Sequence, residues 1–174
     1  TFLRGDNTFN APPLGGITVA DQWRLTADKA NVDTSYTAFD SNLERVDTAG
    51  QGTIGSAMSF DTGTGNFTFP ATGIYLVKAE VSYAKDANRR YTGVGIQVTT
   101  NNSNYTLIAE GYETINPVDG NNSYSYVSAS SLIDVTNTTN VKVRFGGIAP
   151  SAITALGNTT VNLTCFTFIR LGDT

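Results

Sequence analysis

Residues 60–83 read FDTGTGNFTFPATGIYLVKAEVSY, and this stretch decides the fold. In Asn66-Phe67-Thr68-Phe69 aromatic and polar side chains alternate, so one face of an extended strand is buried and the other wet. Pro70 has no N–H to give to a ladder, and Thr72-Gly73 supplies a tight corner. Beyond the corner Tyr75, Val77, Ala79, Val81 and Tyr83 share one face, while Lys78, Glu80 and Ser82 share the other. A strand, a corner and a long half-buried strand predict an antiparallel sheet lying on a core.

The alternation continues in both directions. Ile17, Val19, Trp23 and Leu25 alternate as a first strand, which places Asp21 on the inward side and predicts a bulge or a hydrogen-bonded carboxylate. Ile54, Met58 and Phe60 are expected to line the core. After the charged turn Lys85–Arg90, Val94, Ile96 and Val98 form a strand, with Gly93 and Gly95 permitting close approach on its other face. Tyr105–Ala109 carries apolar residues on both faces, as in a strand covered on both sides. Asp119-Gly120 reads as a hairpin corner. Tyr124 and Tyr126 then share one face, with Val127, Ala129 and Ile133 on the other. Val141, Val143 and Phe145 point inward, and Gly146–Gly157 reads as a loop.

The last strand, Val161–Leu171, has two apolar faces. Val161, Leu163, Cys165, Ile169 and Leu171 are expected to face the core, which leaves Phe166 and Phe168 on the opposite face in need of a cover. Burial of each ring is worth about 1.5–3 kcal/mol. An exposed aromatic pair on a chain of this kind predicts association.

Length and composition bound the functional classes. A chain of 174 residues suits one domain with a sizeable core. Charged residues make up only 15%, and abundant Gly, Thr, Ser and Asn suit short strands joined by polar turns. A net charge of −4, with few and scattered Lys and Arg, argues against a nucleic-acid binder. No apolar run is long enough to span a bilayer, so no membrane insertion is expected. The chain shows no signal peptide and does not start with Met, which reads as a fragment or a processed product. A single cysteine, Cys165, excludes an internal disulfide and reads as a buried, inert thiol.

The absence of histidine removes the commonest general base and the commonest metal ligand together. No phosphate loop, zinc spacing or nucleophile motif is present, so no catalytic residue, metal or cofactor is expected. Asp61–Asn66 lacks the repeated carboxylates of a calcium loop and reads as a turn. Tyr112, Tyr124 and Tyr126, with Tyr105, are the one group with the character of a recognition surface, since tyrosines near Asn and Asp can stack on sugar rings. Ordinary cross-strand pairing is the alternative for each of them.

Two resemblances carry the reading further. Phe60, Phe67, Gly73 and Tyr75 have the spacing F-x6-F-x5-G-x-Y, which resembles the globular head of the complement recognition protein. Gly73-Ile74-Tyr75-Leu76-Val77 with Glu80 is similar to the central signature of the tumour necrosis factor family. The chain departs from the complement pattern at Val77, Ala79 and Gly55. The resemblance implies an all-β, antiparallel jelly-roll sandwich that assembles as a homotrimer, with the C-terminal strand near the threefold axis. Phe166 and Phe168, with Leu107 and Ile108, are the corresponding trimer-interface candidates.

Phe2-Leu3-Arg4-Gly5-Asp6-Asn7-Thr8-Phe9 resembles the junction that precedes a C-terminal head in many bacteriophage fibre and appendage proteins. Asn42–Val46 followed by Gly52–Gly55 is similar to jelly-roll heads of marine phage structural proteins. With Pro12-Pro13 and Gly15-Gly16, residues 1–16 read as a connecting arm and 17–174 as the head. Together these imply a non-enzymatic virion component: the homotrimeric head of a phage fibre or of a capsid or tail appendage. Its arm would join other virion proteins, and its loops would face a host surface glycan or protein. The alternative is a carbohydrate-binding or adhesin module of a secreted, extracellular bacterial protein, which the tyrosines near Gly120 motivate.

Overall fold

A computed structural model describes residues 16–174, together with the backbone of two short paired strands, Phe2–Leu3 (β1) and Phe9–Asn10 (β2). The expected connecting arm otherwise lies outside the described residues. From Ala20 onward the chain is strand after strand. The first are β3 (Ala20–Leu25), β4 (Lys29–Val32), β5 (Thr37–Ala38), β6 (Leu43–Arg45), β7 (Ser59–Asp61) and β8 (Asn66–Thr68). The long ones follow: β9 (Gly73–Lys85), β10 (Arg89–Thr99), β11 (Tyr105–Ile115) and β12 (Ser123–Val135). Then come β13 (Lys142–Ile148), β14 (Ile153–Ala155) and β15 (Cys165–Gly172).

Pairing is antiparallel throughout. One sheet runs β11-β10-β13-β8-β7, with β5 beside β13. The other runs β4-β14-β9-β15-β3-β6, with β12 along the free side of β9. The two sheets close on one core. Tyr75, Val77, Ala79, Val81 and Tyr83 of β9 are fully buried in it, on the face that their alternation predicts. Opposite them lie Val94 and Ile96 of β10 and Val143 and Phe145 of β13. At the corner before β9, Gly73 has φ +139, and a Cβ there would overlap the Gly172 carbonyl oxygen. Only glycine fits that close approach between the start of β9 and the end of β15.

Phe67 sits at the centre of an aromatic cluster, with ring centroids 4.9 Å from Phe60, 5.0 Å from Phe168, 5.5 Å from Trp23 and 5.6 Å from Phe145. Asp21 points inward and is hydrogen-bonded, one of the two outcomes foreseen. Its carboxylate accepts from Gln22 N (2.9 Å), Met58 N (2.8 Å), Trp23 Nε1 (3.1 Å) and Arg45 Nε (3.0 Å). Arg24 is likewise buried, donating to Glu44 (2.8 Å), Asp47 (2.5 Å), Thr48 (2.8 Å) and Gln51 (3.1 Å), so one guanidinium pins residues 44–51 onto β3. The tight corner at Asp119-Gly120 is present, with both residues at positive φ (54° and 68°), but it closes no hairpin, because it carries the chain from β11 in one sheet to β12 in the other.

Met58 lines the core as expected, but Ile54 does not and is exposed. Three further expectations are corrected. Phe166 and Phe168 are not on the open face: both are 0% exposed, inside the sandwich, and covered by their own chain. Phe166 stacks on Phe145 at 4.1 Å with an interplanar angle of 2°, and Phe168 lies against Phe67 and Phe69. The reason is physical. Both faces of the last strand are apolar, so period-two alternation cannot choose between them, and the larger rings take the interior. Val161 and Leu171 are exposed instead.

The segment Tyr105–Ala109 is not covered on both sides: β11 is an edge strand, with Leu107 and Ile108 partly exposed. The loop expected over 146–157 is half strand, since Gly146–Ile148 completes β13 and Ile153–Ala155 bridges β4 and β9. Gly146 is hidden as a strand residue because the Tyr36 ring lies over it and over Gly95, whose carbonyl accepts the Tyr36 hydroxyl at 2.6 Å.

Candidate functional site

Along the outer face of the β12-β9-β15-β3 sheet, strand register sorts side chains into three bands. At one end Leu132, Leu76, Ile169 and Ala20 lie in one row. The middle rows are polar, first Ser130, Lys78, Thr167 and Gln22, then Ser128, Glu80, Cys165 and Arg24. At the far end Tyr126 stands opposite Ser82 and Tyr124 opposite Ala84. Leu132 is 62% exposed, Tyr124 69% and Tyr126 55%, which is unusual for large side chains on one face of one sheet.

Tyr124 and Tyr126 are brought together by their i, i+2 spacing on β12. With Ser82, Ser125, Leu156 and Leu163 they line a cleft of about 520 Å³. The Tyr126 hydroxyl donates to Glu80 Oε1, which also accepts from Lys78 Nζ at 2.7 Å, while the Cys165 thiol approaches Glu80 Oε2 at 3.8 Å. Partial burial would raise the Glu80 pKa, but the Lys78 ammonium and the Tyr126 hydroxyl outweigh it and hold the carboxyl below its usual range. The same neighbourhood acts on Cys165 in the opposite sense. Burial first, then the Glu80 charge, push its thiol up to about 12. A protonated, buried thiol has no nucleophilic use at neutral pH.

Tyr112 is separated from this group. It lies on the exterior of the opposite sheet, its ring 5.8 Å from Tyr91 and its hydroxyl donating to Glu110 at 2.8 Å. Tyr105 likewise belongs to that sheet, under the Arg144 guanidinium (3.9 Å) and bonded to Asn66 (2.7 Å). Among the described residues no group of three or more acidic, Cys or His side chains converges as a metal site, and no helix is long and apolar enough to cross a membrane.

Leu107 (40% exposed) and Ile108 (38%) lie on the β11 edge beside β12. A Cβ on Gly111 would overlap the Ser128 carbonyl, which fixes the level of β11 against β12. The two strands run in opposite directions, so four residues back from Gly111 and four on from Ser128 bring Leu107 level with Leu132. One sheet's edge and the other sheet's face therefore carry apolar groups at the same height on different sides of the subunit. Leu76 and Leu132 were not singled out in the sequence, and Ile169, expected to face the core, lies in the outer row with them. The available signal was the outward parity of Leu76 beside Lys78 and Glu80, a face that its charges disguised as wholly wet.

Two sheets of this order, packed face to face over one aromatic core, define an all-β antiparallel jelly-roll sandwich of the tumour necrosis factor type. The sequence matches no protein-family profile and no curated protein. The solved structures do match. Eiger, a tumour necrosis factor from S. frugiperda, superposes with a TM-score of 0.65 at 11% identity, covering 90% of this chain and 94% of that one. Murine APRIL at pH 5.0 superposes with a TM-score of 0.54 at 13% identity, covering 88% and 98%. At such identities the likeness is one of fold.

Proposed function

We propose that three copies of this chain assemble into a non-enzymatic binding head. The observation that carries the reading is the pair of unpartnered apolar surfaces at one height. Leu107 and Ile108 on the β11 edge of one copy fit the Leu76–Leu132–Ile169 row on the next. Because the two surfaces differ, the contact is heterologous, and with both at one height it builds a closed ring and not a rising filament. The resemblance to trimeric jelly rolls supplies the number three. The interface thus moves from Phe166 and Phe168 to the outer face of the same sheet, while Leu107 and Ile108 keep the role first assigned to them.

The head belongs to a bacteriophage fibre or to a capsid or tail appendage. Support comes from the resemblance of Phe2–Phe9 to a fibre junction and of Asn42–Gly55 to phage heads. In that setting the arm joins other virion proteins, and loops distant from the interface meet the host surface. Sedimentation velocity tests the assembly: the wild-type chain is expected as a trimer, and Leu132→Glu or Ile108→Glu as a folded monomer. A folded wild-type monomer at micromolar concentration refutes the trimer. Labelling of purified particles with an antibody against the head tests the virion setting, and its absence from every particle fraction refutes that part alone.

A second reading, a secreted carbohydrate-binding or adhesin module, draws on the Tyr124–Tyr126 cleft beside Glu80. A sugar ring and a neighbouring subunit would compete for the same tyrosines. Glycan binding by the monomeric Ile108→Glu variant, lost on Tyr124→Ala, favours the module.

A further inference from the structure

The polar band in the middle of the outer sheet face is not explained by the fold. Lys78 and Glu80 point away from the core, and their neighbours in register are Ser128, Ser130, Thr167, Gln22 and Cys165. The band is tied up within itself. Gln22 Nε2 donates to Thr167 Oγ1 at 2.8 Å, and Asn162 Nδ2 donates to Gln22 Oε1 at 2.7 Å. Glu80 receives Lys78, Tyr126 and Cys165. The one other cation of the row, Arg24, is turned away into Glu44 and Asp47. The result is a single neutral pair, Lys78 with Glu80, its lysine side chain 43% exposed and its glutamate 17%. Apolar Leu76, Leu132 and Ile169 lie on one side of it and the exposed tyrosines on the other.

We infer that Lys78 and Glu80 form the compensated ion pair at the centre of the self-association interface, and that assembly requires the pair to be neutral as a unit. This deepens the trimer reading and rests on it. Assembly strips water from the band. A pair that stays matched crosses that step at little net expense, whereas one charge left alone in the interface has neither water nor a counter-ion. Threefold symmetry multiplies the penalty, because every copy brings the same orphan charge to the same place. The occupant of this face is a second copy of the chain, since the exposed Leu107 and Ile108 of its β11 edge stand at the height of Leu132 and meet the apolar row beside the pair.

The test compares wild type, Lys78→Met, Glu80→Gln and the double variant by sedimentation velocity over a dilution series, with near-ultraviolet circular dichroism to show that each is folded. Each single variant is expected to associate about a hundredfold or more weakly, and the double variant to return to within about threefold of wild type. Two patterns overturn the inference while leaving the trimer intact: single variants as tight as wild type, or a double variant weaker than both singles. A wild-type monomer instead removes the trimer reading itself. Should Glu80→Gln fail to fold, Lys78→Met and its recovery in the double variant give the same decision.

Discussion

Replacing Phe166 with alanine distinguishes a ring that holds one subunit together from a ring that holds subunits to each other. Phe166 is fully buried, stacked on Phe145 at 4.1 Å and tilted against Phe39 at 5.5 Å. Truncation removes the transfer free energy of the ring and leaves a cavity that flanking strands cannot collapse into, because β9 and β3 pair with β15 on both sides. Core Phe→Ala changes destabilise by about 3–5 kcal/mol. For a chain of this length that lowers the melting temperature by about 6–20 °C. The comparison is Leu132→Ala on the open face, where little burial is lost within the subunit. Urea denaturation of both variants, made monomeric by Ile108→Glu so that association does not contribute, reads the subunit alone. Phe166→Ala is expected to lose most of the stability there, and Leu132→Ala under about 1 kcal/mol. A Phe166→Ala loss below about 1 kcal/mol in the monomer would refute the placement of the ring in the core.

Asp21→Ala leaves the buried Met58 N–H without an acceptor and frees Arg45, so a loss of about 1–3 kcal/mol is expected in urea denaturation. An unchanged midpoint would show that the carboxylate is not what anchors residues 54–58. The Cys165 thiol, raised to about 12, is expected to resist iodoacetamide at pH 8 until denaturant is added, and alkylation of the native protein within minutes would contradict its burial. Two depressed carboxyls set the acid side. Burial raises Asp40, but the hydrogen bond and charge of Lys29 outweigh it, and Glu80 is lowered against its own burial by Lys78 and Tyr126. A carboxyl whose folded pKa lies below its unfolded value stabilises the fold above the unfolded value and loses that contribution as pH falls through the folded one. Stability is therefore expected to decline from the ordinary values of 3.8 and 4.5 downward, and the decline to shrink in Lys29→Met. An identical acid profile in Lys29→Met removes the Asp40 share.

Legibility in the sequence followed burial. Where one face was apolar and the other polar, as in Tyr75–Tyr83 or Val141–Phe145, alternation was enough to orient the strand, because a shift by one residue would exchange every side chain between core and water. Asp119-Gly120 was legible for a different reason: two successive positive φ angles restrict the corner to a few residue types. The glycines of β10 and β13 misled in one direction only. Gly93 and Gly95 announced a close approach, but nothing local named Tyr112 as the ring over Gly93 or Tyr36, distant in the chain, as the ring over Gly95.

By itself the sequence determined that this chain is a stack of half-buried antiparallel strands, for which hydrophobic period and turn chemistry suffice since both act within a few residues. The orientation of the last strand was settled only in three dimensions. Its two faces were equally apolar, and the presence of Phe145 and Phe67 on the opposing sheet is what drew Phe166 and Phe168 inside. The same step turned Ile169 outward beside Leu76 and the Lys78–Glu80 pair and put Leu132 level with Leu107. A surface of that kind is a property of register between distant strands, and no local pattern encodes it.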